Sequence, residues 1–193
     1  GSGPTSGVTE SDGDGEDGNI GSIIITGGVQ GGEGQNSGAI YCSGHLGSLT
    51  TGSVKGGSQA GSGSINADLD AGVITINGNL EGSSADYAGG IAIGGSLATL
   101  TVNGSVLGKE GSFFADEGGF GGGQIFVGST LGRMEVTGSV LGGSGFDTGS
   151  VEASAVSSVR IDGDLITGGA PSASIYALDG NIGSVTIGGV FDA

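Results

Sequence analysis

The chain has 193 residues, of which 49 are Gly and only 2 are Pro, and its hydrophobic content of 35% suits one domain with a narrow core. The glycines lack the strict three-residue period of collagen, and Val, Ile and Leu recur in register between them, which excludes a flexible linker. Twenty acidic residues against four basic ones give a formal charge of −16, which disfavours nucleic acid as a partner, and no apolar run is long enough for a transmembrane segment.

The chain opens with an acidic, glycine-rich segment, residues 1–19. Its stretch Gly7–Glu10 resembles the later stretch Gly38–Cys42, so we expect a partial structural unit here. The carboxylates that follow are Asp12, Asp14, Glu16 and Asp17. Carboxylates at alternate positions are typical of calcium loops, but Asp17 and Ile23 occupy the places of the Gly and Glu that an EF-hand requires. Calcium is therefore one hypothesis for this turn, with no other cofactor expected, and a solvated acidic segment is the other.

One phrase, clearest at Leu131–Gly143, recurs along the rest of the chain. Its seven copies begin at Ile20, Leu46, Ala71, Leu97, Leu131, Val156 and Ile182. The spacing is about 25 residues, with one exception of 34. Internal repetition at this period is typical of a solenoid.

Each unit contains three apolar stretches. In the first, Ile74 and Ile76 alternate with Thr75 and Asn77, as in a strand with one buried face. The second is expected around Val29, Val54, Leu80, Val106, Val140, Leu165 and Val190. The third comprises Ile40–Cys42, Ile65–Ala67, Ile91–Ile93, Ile125–Val127, Val151–Ala153 and Ile175–Ala177.

Three such short strands cannot bury an apolar face alone, but stacked copies enclose a continuous core. The sequence therefore predicts an all-β fold, a parallel β-solenoid of about seven coils that is right-handed and forms one domain over residues 20–193. Corresponding residues of neighbouring coils then lie about 4.8 Å apart.

The repeated phrase resembles the parallel β-helix repeats of extracellular bacterial surface proteins of the adhesin type. That resemblance covers about residues 20–193 and implies export, a cell-surface or extracellular location, and binding or structural work. The heavy glycine content departs from pectate-lyase-like enzymes of the same architecture.

An insertion at about residues 108–123 accounts for the long spacing. It contains Phe113, Phe114 and Phe120, and the adjacent coils add Tyr87 and Phe146 on the same flank. Two interpretations are open: the rings cap the core locally, or they form an apolar contact patch for a partner.

No catalytic constellation is recognisable. Asp162 and Asp164 form a carboxylate pair without a visible counterpart, the lone His45 falls in a polar turn column, and Cys42 falls in a column of small core residues. We therefore predict a non-enzymatic extracellular structural or adhesive protein. The alternatives are a glycan lyase or hydrolase on a β-helix and, from the outward column of Thr50, Thr75 and Thr101, an ice-binding protein.

The repeats begin with Asn19–Ser22 and close with Asn181–Ser184, in the same phase of the coil. Solenoid ends expose unpaired backbone groups and the end of the core. Either the chain is part of a longer repeat array, or its ends meet those of other copies head to tail and build a filament. Copies of the chain are thus the expected partner, with a surface glycan or protein as the other.

Overall fold

A computed structural model describes residues 18–109, 121–169 and 172–192, together with the backbone of residues 9–11. Over these residues the chain is a parallel β-solenoid without a helix. Six turns begin at Ile20, Leu46, Ala71, Leu97, Leu131 and Val156, and the strands from Ile182 onward start a seventh. We number them coils 1 to 7. No helix in the described part of the chain is long and apolar enough to span a membrane.

Each coil contributes a first, a second and a third strand. The first strands are β2 (Ile20–Ile24), β5 (Leu46–Thr51), β8 (Ala71–Ile76), β11 (Leu97–Val102) and β18 (Ile182–Ile187). The second strands are β3 (Val29–Gln30), β6 (Val54–Lys55), β9 (Leu80–Glu81), β12 (Val106–Leu107), β14 (Val140–Leu141), β16 (Leu165–Ile166) and β19 (Phe191–Asp192). The third strands are β1 (Thr9–Ser11), β4 (Ile40–Cys42), β7 (Ile65–Ala67), β10 (Ile91–Ile93) and β17 (Ile175–Ala177). Two long strands, β13 (Ile125–Val136) and β15 (Val151–Ile161), run through a third-strand position into the first-strand position of the next coil.

All pairings between coils are parallel and follow the sequence repeat. The first and third strands form one sheet, and the second strands form another. At the front of the chain Thr9 pairs with Ile40 and Glu10 with Tyr41, again in parallel. The predicted outward column is confirmed: Thr50, Thr75 and Thr101 are successive partners.

The core is a stack of aliphatic side chains from all three strands. In the first strand of coil 3, Ile74 and Ile76 are buried, as the alternation predicts, and Ala71 at the start of the strand is buried as well. Cys42 is fully buried in its small-residue column, and its thiol lies 3.1 Å from the carbonyl oxygen of Gly18. This environment fits a structural cysteine.

Polar side chains connect the coils at the turn between the first and second strands. The Oδ1 atom of Asn79 accepts a hydrogen bond from the backbone N–H of Ser105 (2.9 Å), and Ser105 Oγ accepts one from Ser139 (3.1 Å). Ser139 Oγ accepts from Asp164 (3.0 Å) in the same way. Each side chain thus satisfies a turn amide of the following coil, which explains the Asn, Ser and Asp residues at this position.

The turn between the second and third strands requires left-handed backbone. In coils 1 to 6 the residue two positions before the third strand has a positive φ. These residues are Gly38, Gly63, Gly89, Gly123, Gly149 and Ala173. At Gly63 a Cβ atom would lie 2.1 Å from the carbonyl oxygen of Lys55, so a side chain is excluded by contact as well as by φ.

In coil 7 the second-strand column differs from the prediction. Phe191, and not Val190, pairs with Leu165. Ile187 at the end of the first strand pairs with Ile161 of coil 6. The pairing continues through the turn, where the backbone N–H groups of Gly188 and Gly189 donate to the carbonyl oxygens of Ile161 and Gly163. This register brings Phe191 onto the core column one residue later than the apolar pattern indicates.

Candidate functional site

The outward face of the third strands carries a groove lined by aromatic side chains. Its outward column reads Tyr41, Asn66, Ala92 and Phe126 in coils 1 to 4. With about 4.8 Å between coils, the two rings stand roughly 14 Å apart along the axis. The small side chains of Asn66 and Ala92 form the floor between them, and Tyr87 adds a wall from the turn of coil 3. We call these five residues the third-strand groove.

Tyr87 occupies an unusual backbone conformation. Its φ of 57° is left-handed, and the corresponding positions of neighbouring coils hold Asn36, Gly61 and Asp147, which are residues that adopt this region more readily. A bulky aromatic residue is disfavoured there, by about 1–3 kcal/mol for such strained positions. The ring is 38% exposed, and burial together with the charge of Asp86 raises the pKa of its hydroxyl.

Polar groups around the groove are held by neighbouring side chains. The Tyr41 hydroxyl donates to Asp68 Oδ2 (2.5 Å), and the Asn66 amide donates to Ser64 Oγ (2.8 Å). These contacts orient one ring and one amide of the groove.

Gln124 lies beneath the groove and is 3% exposed. Its Nε2 donates to Glu152 Oε2 (3.3 Å), whereas its carbonyl oxygen Oε1 is buried without a hydrogen-bond partner. The side chain lines a narrow cleft together with Tyr87 and Phe126. An unsatisfied buried acceptor is costly, and the cleft of about 10 Å³ beside this oxygen has room for no more than a water-sized donor.

The Tyr41 end of the groove is a cavity of about 500 Å³ lined by nine residues without a charged side chain. The lining consists of Gln35, Asn36, Ala39, Tyr41, Ala60, Gly61, Ser64, Asn66 and Tyr87. The cavity carries no charged side chain although the chain as a whole has a net charge of −16. It favours a neutral, polar ligand.

Two carboxyl groups beyond the Phe126 end of the third-strand groove have raised pKa values. Burial raises the pKa of Asp147, and burial together with the neighbouring Asp147 raises the pKa of Glu152. Both groups belong to coil 5, outside the uncharged cavity.

The first strands present a different outer surface. Thr50, Thr75 and Thr101 form a short polar column, which Glu135 and Arg160 interrupt in the following coils. Arg133 pairs with Glu135, and Arg160 Nε pairs with Asp162 Oδ1 at 2.7 Å.

A second candidate site is the open face of coil 7. Ile182 and Val185 are each 41% exposed and Phe191 is 64% exposed, although they occupy core columns. At the opposite end of the described residues, the first strand of coil 1 has the partly buried side chains Ile20 and Ile23.

Tyr87 and Phe146 lie in equivalent turns, between the second and third strands of coils 3 and 5, which is the common flank that the sequence predicts. They are 38% and 36% exposed. Phe113, Phe114 and Phe120 fall outside the described residues, as do Asp12, Asp14, Glu16 and Asp17. The contact patch and the calcium turn therefore stay predictions.

Two of the three aromatic residues of the groove were not singled out from the sequence. Tyr41 and Phe126 are the middle residues of their third strands and lie far apart in the chain. Reading down the middle column of the repeat, Tyr41, Asn66, Ala92, Phe126, would have brought them together.

The carboxylates that the sequence pairs, Asp162 and Asp164, have structural partners. Asp162 binds Arg160, and Asp164 Oδ1 accepts a hydrogen bond from the backbone N–H of Val190 (2.7 Å). His45 is exposed in its turn and lies 3.7 Å from Asp70. Over the described residues, no group of three or more His, Cys, Asp or Glu side chains is placed to hold a metal ion.

No protein-family model, curated protein or solved structure matches the chain. The β-solenoid architecture is established here by the strand register.

Proposed function

We propose that the protein is a non-enzymatic structural protein of the cell exterior whose solenoids stack end to end. The observation that carries this proposal is the open face of coil 7, where Ile182, Val185 and Phe191 stand exposed in columns that are buried elsewhere. An open sheet edge above an apolar row is a surface that favours pairing with another strand.

The next coil of a longer repeat array and the first coil of a second copy would both fit this face, and the proposal commits to the second copy. Its Ile20 and Ile23 would stack on Ile182 and Val185, because these residues belong to the same two columns of the repeat. Its backbone would pair in register with β18, as successive first strands do within one molecule. The contact joins unlike ends and does not close, so repetition builds a filament.

The structural contacts of Asp162 and Asp164 support the non-enzymatic part of the proposal. Each carboxylate makes a structural contact in its turn, with Arg160 and with the amide of Val190 respectively. The extracellular part rests on the resemblance of the repeat to bacterial surface solenoids. Its test is protease treatment of intact native cells, which should remove the protein from their surface.

Two carboxylate substitutions on the same strand test the stacking. Val185→Glu places a charge in the proposed contact, whereas Thr186→Glu places it on the outward face of β18. Sedimentation velocity over a concentration series should show growing species for the unaltered protein and for Thr186→Glu, and monomers for Val185→Glu.

Circular dichroism checks that both variants keep the β spectrum. A monomeric unaltered protein at every concentration, or equal assembly of both variants, contradicts the proposal.

A further inference from the structure

We propose that the third-strand groove binds an uncharged oligosaccharide whose sugar rings stack on Tyr41, Tyr87 and Phe126. The inference is separate from end-to-end stacking, since the groove lies on the outward face of the third strands, whereas the stacking contact uses the inward side chains of the first strands of coils 1 and 7.

The chemistry of the lining selects this class of ligand. Aromatic rings offer apolar faces to the C–H groups of a sugar, while amide side chains exchange hydrogen bonds with its hydroxyl groups. Tyr41, Asn66 and Tyr87 supply both kinds of contact around one cavity of about 500 Å³.

Charge excludes the acidic glycans. The four basic residues are Lys55, Lys109, Arg133 and Arg160, and none of them lines the groove. Asp68 stands at its margin and the whole chain is acidic, so a uronate or sulfate would meet repulsion without a cationic partner.

A proline-rich peptide is the other ligand class that docks on aromatic grooves, and it is included among the probes below. Its backbone carries few N–H donors, whereas the amide side chains of Gln35 and Asn36 in the cavity lining can both donate to and accept from the hydroxyl groups of a sugar.

The strained conformation of Tyr87 is a further observation in support. Coil 2 has Gly61 at the same position, so the fold is compatible with glycine there and does not itself require an aromatic ring. Because backbone strain concentrates at functional positions, an aromatic ring at this left-handed position favours a binding role.

Isothermal titration calorimetry with the whole chain tests the proposal. The probes are cellohexaose and mannohexaose as neutral chains, hexagalacturonate as the charged counterpart, and a proline-rich decapeptide. We expect at least one neutral hexasaccharide to bind, and neither hexagalacturonate nor the peptide.

Variants locate the binding. Tyr87→Gly copies the residue of coil 2 and Phe126→Ala copies the neighbouring Ala92, so both are compatible with the fold. Each should weaken binding about tenfold or more, whereas Phe146→Ala, which removes a ring of similar exposure outside the groove, should leave it unchanged.

Absence of binding to both neutral probes, binding undiminished in Tyr87→Gly and Phe126→Ala, or tighter binding of hexagalacturonate or the peptide would overturn the proposal. Val185→Glu separates it from end-to-end stacking, because a monomeric variant should bind the saccharide with unchanged affinity.

Discussion

Coils 6 and 7 place the same kinds of side chain in the same columns, yet their exposure differs greatly. Val156 and Val159 of coil 6 are each 1% exposed, whereas their partners Ile182 and Val185 in coil 7 are each 41% exposed. Leu165 is 3% exposed and its partner Phe191 is 64% exposed. The difference shows that a coil does not bury its own apolar row, because full burial requires a neighbouring coil on each side.

The largest expected effect comes from one substitution made in both coils. Val159→Ala removes buried methyl groups and leaves a cavity between covered coils, which should lower the free energy of unfolding by about 2–3 kcal/mol. Val185→Ala should lower it by less than about 1 kcal/mol, since that side chain is already half in water. Urea denaturation at low protein concentration measures both.

Equal losses in the two variants would contradict the comparison. A loss for Val185→Ala that appears only at high protein concentration would instead support stacking, since the side chain is then covered by a second copy.

The turn before the third strand gives an intermediate effect. Gly63→Ala, in coil 2, introduces a Cβ against the carbonyl oxygen of Lys55 at positive φ, and we expect a loss of about 1–3 kcal/mol. Ala173→Gly, at the same position of coil 6, should change stability by less than about 1 kcal/mol, because relief of φ strain is offset by backbone entropy. Thermal denaturation of the two variants checks this difference, and an equal loss in both would refute it.

The smallest effect concerns pH. Because the folded pKa values of Asp147 and Glu152 are raised, the folded protein retains protons that the unfolded chain has already released. Their contribution to stability is therefore largest below the ordinary carboxyl pKa of about 4 and declines as pH rises through the raised folded values.

We expect the melting temperature of the unaltered protein to decline between acidic and neutral pH, and the double variant Asp147→Asn/Glu152→Gln to lose this decline. Asp192→Asn, which alters an exposed carboxylate in coil 7, serves as the control and should keep the decline. A variant profile that falls as steeply as that of the unaltered protein would show that other groups cause it.

The sequence predicts most of the fold because in a solenoid the repeat alignment is also the strand register. Thr50, Thr75 and Thr101 share an alignment column and are partners in the sheet. The alignment fails at Phe191, where the apolar pattern selects Val190 and only the hydrogen-bonded turn reveals the true position.

The groove was harder to predict, because the residues that line it come from separate coils. Tyr41 and Phe126 come to share one outward column only through stacking of the coils, and the left-handed Tyr87 adds its ring from a turn. The unsatisfied Gln124 oxygen depends on burial, which no sequence column expresses.

The most direct test is amide hydrogen exchange of β18 and β15 as a function of protein concentration. In dilute solution the amides of β15, which is paired on both sides, should exchange slowly, and those of β18 that point away from β15 should exchange fast. At high concentration β18 should become protected in the unaltered protein and stay unprotected in Val185→Glu. Exchange in β18 that is independent of concentration, or protection already complete in dilute solution, would contradict the view that each coil is buried by its neighbour and that a second copy covers coil 7.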